Sequence, residues 1–197
     1  EAATIEESSL PEQTFAVAAE LPDRPLVLGG CCCVHVGAVE ALAARHDRLG
    51  LVWFDAHGDL NTVASSPSGN LWATPLRMLI ESGAVGAEDV VLIGARNLDQ
   101  PEREFIAATG LHTGEDDLEQ ALDGTEGTYV AFDADAVDPA ELEVFMPEPD
   151  GLTLEEAKTL LHEIGDRSPV LGLGFSGLAA SERNVGPLSE LAAALRL

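Results

Sequence analysis

Five short apolar runs constrain this chain more than any other feature. They are "RPLVLGG" (24–30), "LGLVWFD" (49–55), "DVVLIGAR" (89–96), "TYVAFDAD" (128–135) and "SPVLGLGFS" (168–176). Val, Leu and Ile follow one another in them without the strict alternation of a strand that has one wet face. That pattern describes strands covered on both sides. Helical patterns separate the runs, at 36–47, 72–82, 100–109, 115–122 and 153–165, with a last one at 187–196. Thr153 and Glu156 form a capping box that opens "TLEEAKTLLHEI". Strands alternating with helices imply an α/β fold, a mostly parallel sheet with helices on both faces.

The 197 residues, 46% apolar and 23% charged, suit one domain over 1–197 with a sizeable core. Residues 1–22 begin "EAATIEESSLPEQTF" and read as a flexible acidic lead-in. They lack the basic region and apolar stretch of a signal peptide. The chain opens without a strand, as though a first one upstream had been lost. Ten basic against 35 acidic residues leave a net charge of −25, which argues against nucleic acid and anionic membranes as partners. No apolar run reaches transmembrane length. The three cysteines, Cys31 to Cys33, are consecutive, so they imply no disulfide framework and suggest a reducing, cytoplasmic setting.

Ligands of open α/β sheets bind beyond the carboxyl ends of the strands. "GGCCC", "DAHGD" and "DAD" each begin where a strand should end, and "GLGFSG" (172–177) reaches the same rim. Alternate side chains at a strand tip point one way. Asp55, His57 and Asp59 can therefore share a cavity with Asp133 and Asp135 from another strand. Carboxylates with one imidazole suit Mn²⁺, Fe²⁺ or Zn²⁺. Four crowded carboxylates repel one another. Two divalent ions about 3.5–4 Å apart, sharing a hydroxide, would relieve that repulsion. Either motif alone also reads as a turn-capping cluster. "DADAVD" departs from a calcium loop, because Pro139 follows and the glycine is missing. A phosphate loop at Gly29, Gly30 and Gly37 lacks the G-x-G-x-x-G spacing.

"LGGCCCVHVG", "FDAHGDLNT", "SGNLW", "FDADAVDP" and "EPDGLT" stand in the order and spacing of the ureohydrolase family. Over residues 25–178 the chain resembles these arginases, agmatinases and formiminoglutamases. The resemblance implies a three-layer α/β/α fold, two Mn²⁺ ions and hydrolysis of a C–N bond in a small linear guanidine or amidine. It also implies a homo-oligomer, a trimer or hexamer. By position, Asp55 and Asp133 bridge both metals. His57 and Asp135 complete one site. Asp59 binds the other metal and orients the hydroxide. Asn61, Ser68 and Asn70 match positions that hold the substrate's amino-acid end in arginases. Asp138 and Pro139 shape the turn beneath.

Three positions depart from the family. Its "GGDHS" is "GGCCC" here, so Cys32 stands where the metal-binding histidine is expected. Its thiolate would draw Zn²⁺ or Fe²⁺; as a small buried residue it would leave one metal weakly held. His35 reads as packing. "GNLWA" (69–73) places Trp72 at the proton-shuttle histidine; Trp72 either stacks on a planar cation or packs a helix turn. The guanidinium-clamping Glu corresponds to Gly177, with Glu182 as the nearest substitute in sequence. His46, His112 and His162 read as surface or packing residues. Two functions follow: a binuclear hydrolase, with Asp59 and His57 in the catalytic set, or a catalytically silent relative that binds metal or a ligand.

Overall fold

The computed structural model describes residues 3–197. Six strands form one sheet: β1 (Leu26–Leu28), β2 (Leu49–Phe54), β3 (Val90–Ile93), β4 (His112–Thr113), β5 (Gly127–Asp133) and β6 (Val170–Ser176). Their order is β1-β6-β5-β2-β3-β4, and every pairing is parallel. All strand tips that end in a functional motif therefore lie on one rim.

The apolar runs divide their side chains between two cores, as the pleat requires. Val52, Phe54, Val91, Ile93, Val130, Phe132, Leu173 and Phe175 enter one core. It is covered by α5 (Leu118–Leu122), α6 (Leu154–Arg167) and α7 (Val185–Ala194). Leu51, Trp53, Val90, Leu92, Tyr129 and Ala131 enter the other. The helices on that side are α1 (Leu10–Glu20), α2 (Val34–Ala43), α3 (Pro75–Glu81) and α4 (Gln100–Thr109). The result is the expected three-layer α/β/α architecture. The Thr153–Glu156 capping box is present at the start of α6.

The lead-in differs from expectation. Residues 10–20 of the segment expected to be flexible are helical, while residues 1 and 2 lie outside the described residues. Ser9 caps α1 by accepting from the Glu12 amide, and Val17 turns into the core. Gly37 lets α1 lie against α2: a Cβ there would sit 2.5 Å from the Thr14 carbonyl oxygen. The expected helix at 72–82 is a 3-10 turn (Leu71–Ala73) followed by α3. Pro75 starts α3, and the residue before a proline avoids helical geometry. Strand β4 was not expected; two residues are too few to show a period. Among the described residues no helix is long and apolar enough to cross a membrane.

Candidate metal centre

Asp55 immediately follows the last residue of β2. Its Oδ1 accepts the His57 amide at 2.7 Å, and its Oδ2 accepts the Trp53 indole N–H at 3.1 Å. Asp133 ends β5, and Asp135 lies in the 3-10 turn Ala134–Ala136 that follows. The Asp135 amide donates to Asp133 Oδ1 at 3.0 Å, and Asp135 Oδ1 accepts the Ala56 amide at 3.0 Å. Backbone N–H groups thus aim carboxylates from two adjacent strands at each other. His57 Nδ1 stands between them, 3.3 Å from Asp55 Oδ1 and 3.1 Å from Asp135 Oδ2. Hydrogen bonds to Asp135 and then Asp55 raise its imidazole to about 11. Without a cation, an imidazolium at this position offsets part of the carboxylate charge, and a cation bound there would displace its proton.

The other half is drier. Cys32 Sγ lies 2.9 Å from Asp133 Oδ2 and 3.6 Å from Asp55 Oδ2. Burial, then Asp133, pushes its thiol well up. Burial first, then Asp55 and Asp133, holds the Asp59 carboxyl well above the usual carboxylate range. Burial, reinforced by Asp135, raises Asp133 to about 6. Asp59 adopts a left-handed backbone, φ 51°, and its buried Oδ2 has no hydrogen-bond partner among the described residues. A buried acceptor left without a donor is costly, and a cation would satisfy it.

Two groups have the spacing of a cation site: Asp55, His57 and Asp135, and Cys32, Asp55 and Asp59. Within each, the candidate ligand atoms lie within 4.8 Å of one another, and Asp55 belongs to both. The donor sets fit divalent ions of unequal softness, with N and O ligands in one and a sulfur in the other. These five residues and Asp133, which belongs to neither group, line one cleft of about 1680 Å³.

Of the remaining expected residues, Asn61, Ser68, Trp72 and Gly177 line that cleft, and Asn70 is not part of its lining. Asn61 lines it, but its amide donates to Asp99 Oδ2 at 3.0 Å and accepts from Ser65 at 2.9 Å. Ser68 also lines it, 3.1 Å from Ser66 Oγ. Asn70 precedes the 3-10 turn, and its amide donates to Ser68 Oγ at 3.2 Å. Trp72 is 43% exposed on the cleft wall. Asp138 caps its turn by accepting the Ala140 amide. His46 pairs with Glu126, and His162 is exposed. Gly177 has φ 69°, and a Cβ there would overlap the Asp133 carboxylate. Glu182 is exposed on the turn Glu182–Asn184.

Two groups at the site escaped the sequence reading. Glu148, in the "EPDGLT" turn, comes 3.5 Å from His57 Nε2 and accepts from Asn97 at 3.0 Å. Ser176 donates to Asp133 Oδ2 at 2.9 Å. The only signal for Ser176 was its place at a strand tip. Glu148 opens the "EPDGLT" motif, but nothing local marked its carboxylate as reaching His57, because a loop residue's reach depends on how the loop folds back.

A parallel sheet whose tips gather carboxylates, an imidazole and a thiol into two groups spaced to hold a cation has the architecture of an α/β protein of ureohydrolase type. The sequence pattern of the Arginase family matches residues 6–194, and the chain belongs to that family. It is 36% identical over 142 residues to an arginase from Staphylococcus aureus, covering 59% of this chain and 47% of that protein. It is 32% identical over 177 residues to the arginase of Bacillus subtilis, covering 77% of this chain and 60% of that one. The chain thus spans about half the length of the first of these relatives. The crystal structure of arginase from Bacillus cereus superposes with a TM-score of 0.83 at 28% identity, covering 94% of this chain and 75% of that one.

Proposed function

We propose that the chain is a metal-dependent hydrolase of a C–N bond in a small guanidine- or amidine-like molecule, using two divalent cations. One observation carries the reading: the two ligand groups share Asp55, and the buried Asp59 oxygen beside them has no donor. Family membership supports it. Asp55, His57 and Asp135 would hold one cation; Cys32, Asp55 and Asp59 would hold the other. Mn²⁺ follows the family resemblance, and the Cys32 sulfur favours Zn²⁺ or Fe²⁺ on its side. When bound, such a pair supplies charge that brings the pKa of water toward neutrality and steadies negative charge at the reacting centre.

The chain's own groups do the rest. Asp59 would ligate through one carboxylate oxygen and use the other to orient the attacking water and take its proton. Trp72 offers an indole face to a planar cation, a contact of about 0.5–2 kcal/mol. It cannot titrate, so the leaving nitrogen would take back from Asp59 the proton removed from the attacking water.

A second reading, binding without turnover, draws on Gly177. The family's clamping carboxylate is replaced there by a glycine whose missing Cβ makes room for Asp133. Metal analysis of purified protein should find about two ions per chain, and Asp55→Asn should remove most of both. Unchanged metal content in that variant sinks the site. Guanidines and amidines screened with Mn²⁺, Zn²⁺ and Fe²⁺ for urea or ammonia release then separate the two readings. Turnover that disappears in Asp59→Asn eliminates the silent relative; no turnover with any of the three metals eliminates the hydrolase.

A further inference from the structure

A second polar chain runs through the core beneath the acidic rim, and the proposed hydrolysis does not use it. His35 on α2, Tyr129 on β5 and Ser176 at the tip of β6 are all fully buried. His35 Nδ1 lies 3.1 Å from the Tyr129 hydroxyl, and its Nε2 lies 3.2 Å from Ser176 Oγ. Ser176 Oγ is 2.9 Å from Asp133 Oδ2 and 3.0 Å from Cys32 Sγ. Gly174 makes the space: a Cβ there would sit 2.5 Å from His35 Nδ1. Trp53 and Tyr129 box the imidazole edge-on, with ring centroids 5.4 and 5.9 Å away.

Counting donors sets the direction of this chain. Burial pushes the His35 imidazole down to about 3, so at neutral pH the ring carries one N–H. With the proton on Nδ1, the ring would donate to Tyr129. The tyrosine proton would then have no acceptor among the described residues. Ser176 would also have to donate to Nε2, turning an oxygen lone pair toward the Asp133 carboxylate. With the proton on Nε2, Tyr129 donates to Nδ1, Nε2 donates to Ser176, and Ser176 donates to Asp133. Every proton then meets an acceptor, and no buried donor is left unpaired.

We propose that Tyr129, His35 and Ser176 form a one-way hydrogen-bond relay that presents the Ser176 hydroxyl to Asp133 and Cys32 on the metal side. His35 is its positioning residue. The proposal rests on the metal-centre reading above. Nε2–H occupies the acceptor side of Ser176, so the serine proton must face the centre. There Ser176 donates to the Asp133 carboxylate, with the Cys32 sulfur 3.0 Å from the same serine oxygen. Hydrogen bonds in a directed series polarise one another.

Two measurements test the relay. In chelated wild-type protein, ¹⁵N NMR of the His35 ring should place the proton on Nε2; a proton on Nδ1 overturns the relay whether or not metal binds. Titration with Co²⁺, followed by calorimetry and the visible spectrum, should show Ser176→Ala weakening binding about 10–100-fold, as loss of a ligand's outer partner does. The double variant His35→Phe/Tyr129→Phe should weaken binding in the same direction and shift the cobalt spectrum. A purely structural role would instead lower the unfolding temperature of chelated protein and leave cobalt affinity and spectrum as in wild type; that result overturns the relay. Wild-type protein that binds no Co²⁺ overturns the metal-centre reading itself, and the NMR result still decides the direction of the relay.

Discussion

At the residue scale, the centre holds groups in states that water would not favour. Asp133 keeps its proton up to about pH 6 in the folded protein, against an ordinary value of 3.8. The folded state therefore binds more protons than the unfolded one between these values. By linkage, this group's stabilisation is complete below about pH 4 and is lost as pH rises through about 6. Urea unfolding of chelated protein should show a midpoint that falls over that range, and Asp133→Asn should flatten part of the fall. Identical pH profiles for the two proteins would show that Asp133 is not the cause. The acidic and imidazole groups were legible because they alternate at strand tips. Ser176 and His35 were not. A helix residue three positions past Cys32 carries no mark that its ring will bridge β5 and β6. Asp59's left-handed backbone was also unreadable; positive φ in a non-glycine residue is held in place by its surroundings.

At the scale of elements, the helix–helix contact at the start of the chain gives the clearest test. α1 buries a single residue, Val17, and the acidic stretch before it suggested a flexible lead-in. What orders it is the partner surface: Val17 finds the core, and Gly37 on α2 leaves the gap that the Thr14 carbonyl needs. Gly37→Ala should cost about 1–3 kcal/mol, the usual range for overpacking a close contact. Chemical denaturation measures it, and a change under about 0.5 kcal/mol, the scatter of surface substitutions, would show that the helices part without penalty. The same subtlety hid β4. The buried central strands were easy to read, because covering on both faces writes an unbroken apolar run. Edge strand β1 shortened from an expected seven residues to three, with Leu26 and Leu28 exposed.

At the scale of the whole molecule, charge is the leading physical feature. A net −25 on 197 residues creates self-repulsion that compaction must overcome. Raising ionic strength from about 0.01 to 0.15 M shortens the Debye length from about 30 to 8 Å. The unfolding temperature of chelated protein should rise over that interval, and scanning calorimetry checks it. A fall would mean that the surface ion pairs, such as Arg167 with Glu163 and Glu119, outweigh the repulsion.

The sequence by itself determined the strand–helix alternation, the parallel sheet, the two-sided core and the rim on which Asp55, His57, Asp59, Asp133 and Asp135 collect. These follow from unbroken apolar runs and from helical periods of about 3.6 residues, which neighbours in the chain can write. Only the tertiary structure decided the order β1-β6-β5-β2-β3-β4, and so which tips are adjacent. It placed β6 beside β5, setting Ser176 against Asp133, brought Cys32 from the loop after β1 to the same carboxylate, and folded Glu148 back toward His57. Such meetings depend on how crossovers and loops close in space, and distance through space is not a local property of the chain.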